Sequence, residues 1–325
     1  MEKLQKSGYL NHPMQAYTLR RVTLSEGKAK GASVIEVCTA AGLQVDIFPD
    51  SGLDIGQVRY KGNNMSFICK NGYDSPSVFI PHQSNFLNTY PGGMMYTCGL
   101  RNVGPASQDG NEYHENHGRY HGLAAEQVGA YVEDDTIVIR GIVRESALFG
   151  HCLQLSRVIR IPIFGAKITV SDELTNLAHR DEEYMILYHC NFGYPFLSEK
   201  AHLEFPAQRK TTGRTPFAEA FLGKEHTFDA PVPGEEERCF FHEDMEHKVS
   251  LVNESLGAKM TLTWSETLPI LVQWRTMASG DYALGLEPTN NYINGRAGER
   301  ENGTLPVIKA HETVKTEVSF TFETI

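Results

Sequence analysis

Apolar and polar residues alternate with a period of two in run after run along this chain, and that period points it to β-sheet. Leu43-Gln44-Val45-Asp46-Ile47-Phe48 shows the pattern most plainly. It returns over residues 34–38, 136–143, 151–161, 167–174 and 185–189, and again over 248–252, 259–264, 270–274, 282–287 and 316–322. Gly, Pro, Asn and Asp stand between the runs, so the strands are expected to pair antiparallel through turns. No window carries the i, i+3, i+4, i+7 stripe of an amphipathic helix. Short helical turns are expected only near 79–86 and 216–222. The strands do not alternate with long helices, which argues against a doubly wound α/β fold. The expected class is all-β: one large antiparallel β-sandwich over residues 1–325, a single domain with few short helices. Three stretches, 71–88, 104–116 and 207–237, are long for connections. Long loops on a β scaffold often line a site.

The formal net charge of −10 repels phosphate backbones and anionic lipid, so neither nucleic acid nor membrane is an expected partner. No run approaches the ~18 apolar residues of a membrane span. The first residues, Met1-Glu2-Lys3-Leu4-Gln5-Lys6, lack the apolar centre of a secretory signal. Cys38, Cys69, Cys98, Cys152, Cys190 and Cys239 are scattered, with no CxxC pair. They are read as free thiols of a cytoplasmic protein rather than as a zinc site or a disulfide framework. Neither a nucleotide-cradling glycine loop nor a G-x-S-x-G elbow occurs.

Three clusters have the residue types of chemistry. The first is His114-Glu115-Asn116-His117-Gly118-Arg119-Tyr120-His121. On an extended strand His117, Arg119 and His121 would share one face. A polar strand end explains such a stretch as readily as a site does. A metal held by His114, His117 and His121 is the alternative, although no ligand spacing of a known type supports it. The second is His189, which closes an apolar strand before a Gly/Pro turn; its neighbour Cys190 should point to the opposite face, which argues against a Cys–His dyad. The third is Glu287, a carboxylate in an apolar run, followed by Asn290, Asn291, Asn294 and Arg296. Amides and guanidinium groups are the types that hold hydroxyls. Trp274 is expected in the core, and Glu235-Glu236-Glu237 in a solvated loop.

In this order the clusters resemble the galactose mutarotase (aldose 1-epimerase) superfamily, and most closely its less characterised bacterial aldose 1-epimerase-like branch. Residues 48–55, 97–104, 117–119, 239–242 and 273–296 carry the likeness, and the matching segments are spread over most of the chain. The resemblance implies a β-sandwich fold and the interconversion of sugar anomers, without a cofactor. It makes His189 the general acid and Glu287 the general base. It gives His117 a place near the sugar ring oxygen and Arg119 a hydroxyl or acidic group. Asn290 and Arg296 join as hydroxyl-binding groups, and Asp229 stands in for the family's substrate-binding aspartate. The departure is His189-Cys190-Asn191-Phe192-Gly193, where the enzymes of known activity have His-x-Tyr-Phe-Asn. The implied partner is a small sugar. A sugar-binding protein without catalysis is the second reading, a metal-dependent isomerase or lyase the third. The assembly is open, with a homodimer as one option. A working catalyst is expected to keep Glu287 ionised and His189 protonated, on opposite sides of the sugar.

Overall fold

The computed structural model describes residues 1–75 and 85–325. Its strands form three large antiparallel sheets. A five-stranded meander runs through Tyr17–Thr23, Ser33–Thr39, Leu43–Phe48, Asp54–Tyr60 and Asn63–Asn64. The eight-stranded sheet has the order Ala201–Glu204, Lys248–Asn253, Ala258–Trp264, Thr313–Thr324, Lys167–Asn176, Cys152–Pro162, Thr136–Ser146, Glu126–Glu133. The six-stranded sheet has the order Lys210–Gly213, Arg238–Glu243, Ile270–Thr276, Ala283–Thr289, Met185–Phe192, Tyr96–Leu100. The expected all-β sandwich class is what the chain forms.

Two kinds of strand coexist. Cys152–Pro162 alternates buried and half-exposed residues along almost its whole length, as a sheet wet on one face must. Met185–Phe192, in contrast, is buried at all eight positions. Its Tyr188, Cys190 and Phe192 enter the main core, together with Leu284, Leu286 and Leu271 of the neighbouring strands. Its Met185 and Leu187 belong to a second, smaller apolar cluster with Tyr96, Cys98, Val272 and Phe241. The six-stranded sheet therefore packs on both faces.

The helices are short. Pro216–Glu219 falls inside the expected 216–222, started by Thr215, whose side chain accepts from the Ala218 N–H. Asn85–Thr89 is helical, while residues 79–84 of the other expected turn lie outside the described residues. Gly295–Asn302 forms an eight-residue helix outside the two stretches expected to turn helical. Its composition, GRAGEREN, offers no apolar stripe; ion pairs from Arg296 and Arg300 to Asp109 and Glu183 fasten it instead. Among the described residues no helix is long and apolar enough to cross a membrane.

Candidate active site

Register in the six-stranded sheet brings the distant polar residues together. Leu187 pairs with Thr289 and Cys190 with Leu286, which sets His189 across from Glu287 on adjacent antiparallel strands. On the next strand Val272 pairs with Glu287 and Trp274 with Gly285. Cross-strand partners share a face, so His189, Glu287, Trp274 and Gly285 all point away from the main core. Gly285 is needed here: a Cβ on it would collide with Glu287 Oε1.

Above this face is a cavity of about 670 Å³. That is ample for a monosaccharide and within the range of small-molecule sites. A second hollow, lined by Phe48, Tyr73, Tyr96 and His121, holds only about 70 Å³. The large cavity is floored by His189, Glu287, Trp274 and Cys239. Its walls come from the three long loops: Asn71, Phe86 and Leu87; Gly104, Pro105, Asn116 and His117; Arg214, Glu235 and Glu237.

His189 Nε2 lies 3.1 Å from Glu287 Oε1, and both side chains are almost fully buried. The contact is off the line of a ring N–H, and Oε1 has no hydrogen-bond partner. Burial drives the His189 pKa down to about 3, with His117 adding to it and the Asn191 hydrogen bond opposing. Burial also drives the Glu287 carboxyl well above the usual range; Glu237 pushes the same way and Arg214 against it. Both directions favour the uncharged pair, a carboxylic acid beside a neutral imidazole. Both run against the expected ionised Glu287 and protonated His189. Desolvation is the largest cause for both groups. The two groups also stand side by side, with no room for a sugar between them.

His117 closes one side of the cavity. Its ring centroid is 5.9 Å from that of His189 and 4.8 Å from that of Phe86. Burial, aided by the Arg214 guanidinium, lowers its pKa to about 4. Trp274 is a wall of the cavity rather than core: its ring stands edge-on to His189 at 5.4 Å, and its Nε1–H donates to Glu237 Oε2 at 2.7 Å.

The chain lies in the reach of one protein-family model, described as a domain of unknown function (DUF4432), which matches residues 29–322. The chain belongs to the DUF4432 family. No curated protein matches this DUF4432 chain. Solved structures share its fold. A candidate aldose 1-epimerase from Klebsiella pneumoniae superposes with a TM-score of 0.88 at 22% identity, over 98% of this chain and 86% of that one. A galactose mutarotase-like protein from Clostridium acetobutylicum gives a TM-score of 0.65 at 13% identity, over 96% and 100%. A galactose 1-epimerase from Lactobacillus acidophilus gives 0.63 at 13%, over 95% and 99%. At these identities the likeness is one of fold.

Within this DUF4432 fold, three of the seven expected site residues, His117, His189 and Glu287, meet in the cavity. The other four do not line it. Arg119 opens into a separate hollow of about 300 Å³ with Arg101, His114, Glu145 and His151. The strand assumed for this stretch does not form: His117 and Gly118 both have positive φ, and a 3₁₀ turn follows at Tyr120–Gly122. The same turn separates the three histidines. His121 is stacked on Tyr96 at 4.6 Å, and His114 lies in the Arg119 hollow. Among the described residues no three His, Cys, Asp or Glu side chains converge as metal ligands.

Asn290 secures the sheet, its Oδ1 accepting from the Ile186 N–H at 2.9 Å. Arg296 is buried, bonded to Asp109 and Glu183. Asp229 is a solvent-facing residue 3.8 Å from Arg275. Arg214 and Glu237 are the cavity residues that the sequence reading missed. Arg214 makes no ion pair among the described residues, although it is close enough to bias both His117 and Glu287. Glu237 belongs to the acidic run read as solvated loop. Their one sequence signal was membership of the long 207–237 stretch.

Proposed function

We propose that this protein is a sugar mutarotase or epimerase that opens and recloses the ring of a small aldose or aldose derivative by proton transfer. The observation that carries this reading is the buried His189–Glu287 pair on the floor of a sugar-sized cavity. Binding alone needs no such pair, and burying Glu287 Oε1 without a hydrogen bond is costly. The fold neighbours named for aldose and galactose 1-epimerization and for mutarotase likeness support the same chemistry.

The two groups lie on one side of the sugar, where they can reach the two oxygens of the anomeric carbon. One member of the pair takes the proton of the anomeric hydroxyl. The other gives its proton to the ring oxygen. The bond from the anomeric carbon to the ring oxygen breaks, the carbonyl forms, and rotation presents its other face; reversal of the transfers recloses the ring. The pair holds one proton before and after, so the reaction balances without a cofactor. Each positioned transfer is worth about 10²–10⁴-fold. His117, Arg214, Asn116 and Glu237 offer donors and acceptors for hydroxyls, and Trp274 with Phe86 an apolar wall for the C–H face of the ring. The substrate residues Arg119, Asn290, Arg296 and Asp229 are not part of this proposal.

The test is exchange NMR between anomers across aldoses, ketoses and uronic acids, with Glu287→Gln and His189→Asn as controls. Accelerated exchange of at least one sugar, lost in both variants, is expected. Binding of a sugar with no acceleration would favour the carbohydrate-binding reading.

A further inference from the structure

We infer that Asn191 is a positioning residue that fixes the tautomer of His189, so that Nε2 and not Nδ1 exchanges protons in the cavity. The inference deepens the proposed function, and only its kinetic consequence rests on that reading.

Asn191 is fully buried, two residues beyond His189 on the same face of the strand. Its Nδ2 donates to the Gly93 carbonyl at 3.0 Å and to the His189 carbonyl at 2.8 Å. Carbonyl oxygens only accept, so the amide cannot be turned end for end without setting oxygen against oxygen twice. Its Oδ1 is thereby fixed at 2.5 Å from His189 Nδ1. Oδ1 also only accepts, so Nδ1 must carry a proton. The Tyr90 hydroxyl, 3.4 Å from Nδ1, is a distant second neighbour.

With Nδ1 protonated, the neutral ring has its lone pair on Nε2, the nitrogen that faces Glu287 Oε1. Burial favours the neutral ring and pushes the Glu287 carboxyl up, towards its protonated form. With the carboxyl holding its proton, ring opening starts with the roles opposite to those the family resemblance implies. Nε2 takes the proton of the anomeric hydroxyl while the Glu287 carboxyl gives its own to the ring oxygen. Reclosure returns both, with Glu287 now the acceptor and Nε2–H the donor. This arrangement uses the segment His189-Cys190-Asn191, which is where the chain departs from the family's pattern.

The test is nitrogen NMR of the histidine rings in ¹⁵N-histidine-labelled full-length protein, the His189 signals being those lost in His189→Asn. At pH 7 the wild type is expected to show a protonated Nδ1 and a bare Nε2. Asn191→Asp, which sets a carboxylate against Nδ1–H, is expected to give a ring protonated at both nitrogens. Asn191→Leu is expected to lose the single tautomer, and its kcat to fall about a hundredfold with KM little changed. A wild-type ring protonated at Nε2 alone would overturn the inference, as would a folded Asn191→Leu protein with the wild-type tautomer. The wild-type spectrum decides the matter even where the leucine variant does not fold. A protonated Nδ1 in a protein that turns over no sugar would uphold the positioning role and remove the mutarotase reading.

Discussion

Tyr188 and His189 are neighbours in one strand, yet they serve two buried polar clusters on opposite faces of it. Tyr188 donates to Asp172 Oδ2 at 2.7 Å, in a cluster centred on Arg157. All five N–H groups of that guanidinium are used: Asp172 takes two, Asp54 one, and Gly52 O and Thr97 Oγ1 the others. Burial raises Asp54 only to about 6, because Arg157 and Thr97 hold it down. Glu287 is equally buried but has no such partners, and its carboxyl is pushed well above its ordinary range. The difference separates a structural cluster, in which every charge is met, from the proposed reactive one, in which Glu287 Oε1 is buried without a hydrogen-bond partner.

The sharpest way to break this comparison is to remove the two groups proposed to transfer protons. Glu287→Gln and His189→Asn should each lower anomer exchange by about 10²–10⁴-fold. Glu287→Gln should change unfolding free energy by less than about 1 kcal/mol, because Oε1 has no hydrogen bond to lose, whereas His189→Asn gives up the bond to Asn191 and should cost about 1–3 kcal/mol. Equal exchange rates for wild type and both variants would end the reactive assignment.

The mirror experiment is Arg157→Met. It strands Asp54 and Asp172 without their cation and should cost about 3–5 kcal/mol in urea unfolding. A loss below about 1 kcal/mol would show that the hub is not the structural cluster described above.

Acid acts on the buried imidazoles and the buried carboxyls with opposite sign. His117, His121 and His189 have native pKa values of about 4, 3 and 3, depressed by burial below the ordinary 6.5. Only the unfolded chain takes up their protons, so stability present above pH 6.5 is lost as the pH falls from there towards 4. Asp54 acts oppositely: its native pKa of about 6 lies above the ordinary 3.8, so between these values the folded state gains as pH falls. His114, His151 and His242 are lowered to about 4 as well, and Asp46, Glu145 and Glu287 are raised like Asp54, so six imidazoles outweigh four carboxyls. Denaturation at pH 7.5, 6 and 5 should show a net decline, and His121→Phe should flatten it. A flat profile in the wild type would contradict the burial of the imidazoles.

The smallest effect concerns the cavity wall. Glu237→Gln weakens the bond to Trp274 Nε1 and should raise KM about two- to tenfold with kcat nearly constant, the worth of one hydrogen bond. A kcat loss as large as that of Glu287→Gln would move Glu237 from substrate holding into the proton transfer itself.

Much of the fold was legible because alternation reports a sheet with one wet face. It was weakest where both faces are dry. Tyr96–Leu100 is buried at every position and Arg238–Glu243 at all but the last, so neither shows the period of two. The polar helix Gly295–Asn302 was invisible for the converse reason: it is fastened by ion pairs to residues more than a hundred positions away.

By itself the sequence determined the all-β class and the family likeness, and it marked His117, His189 and Glu287. It also placed His189 and Cys190 on opposite faces, since neighbours in a strand must point apart. Only the tertiary structure decided that Arg119 turns away, that Arg214 and Glu237 turn in, and that His189 and Glu287 touch. Those outcomes depend on strand register and loop path, which bring together side chains far apart in sequence. The protonation of the pair likewise follows from burial, which no local stretch of sequence encodes.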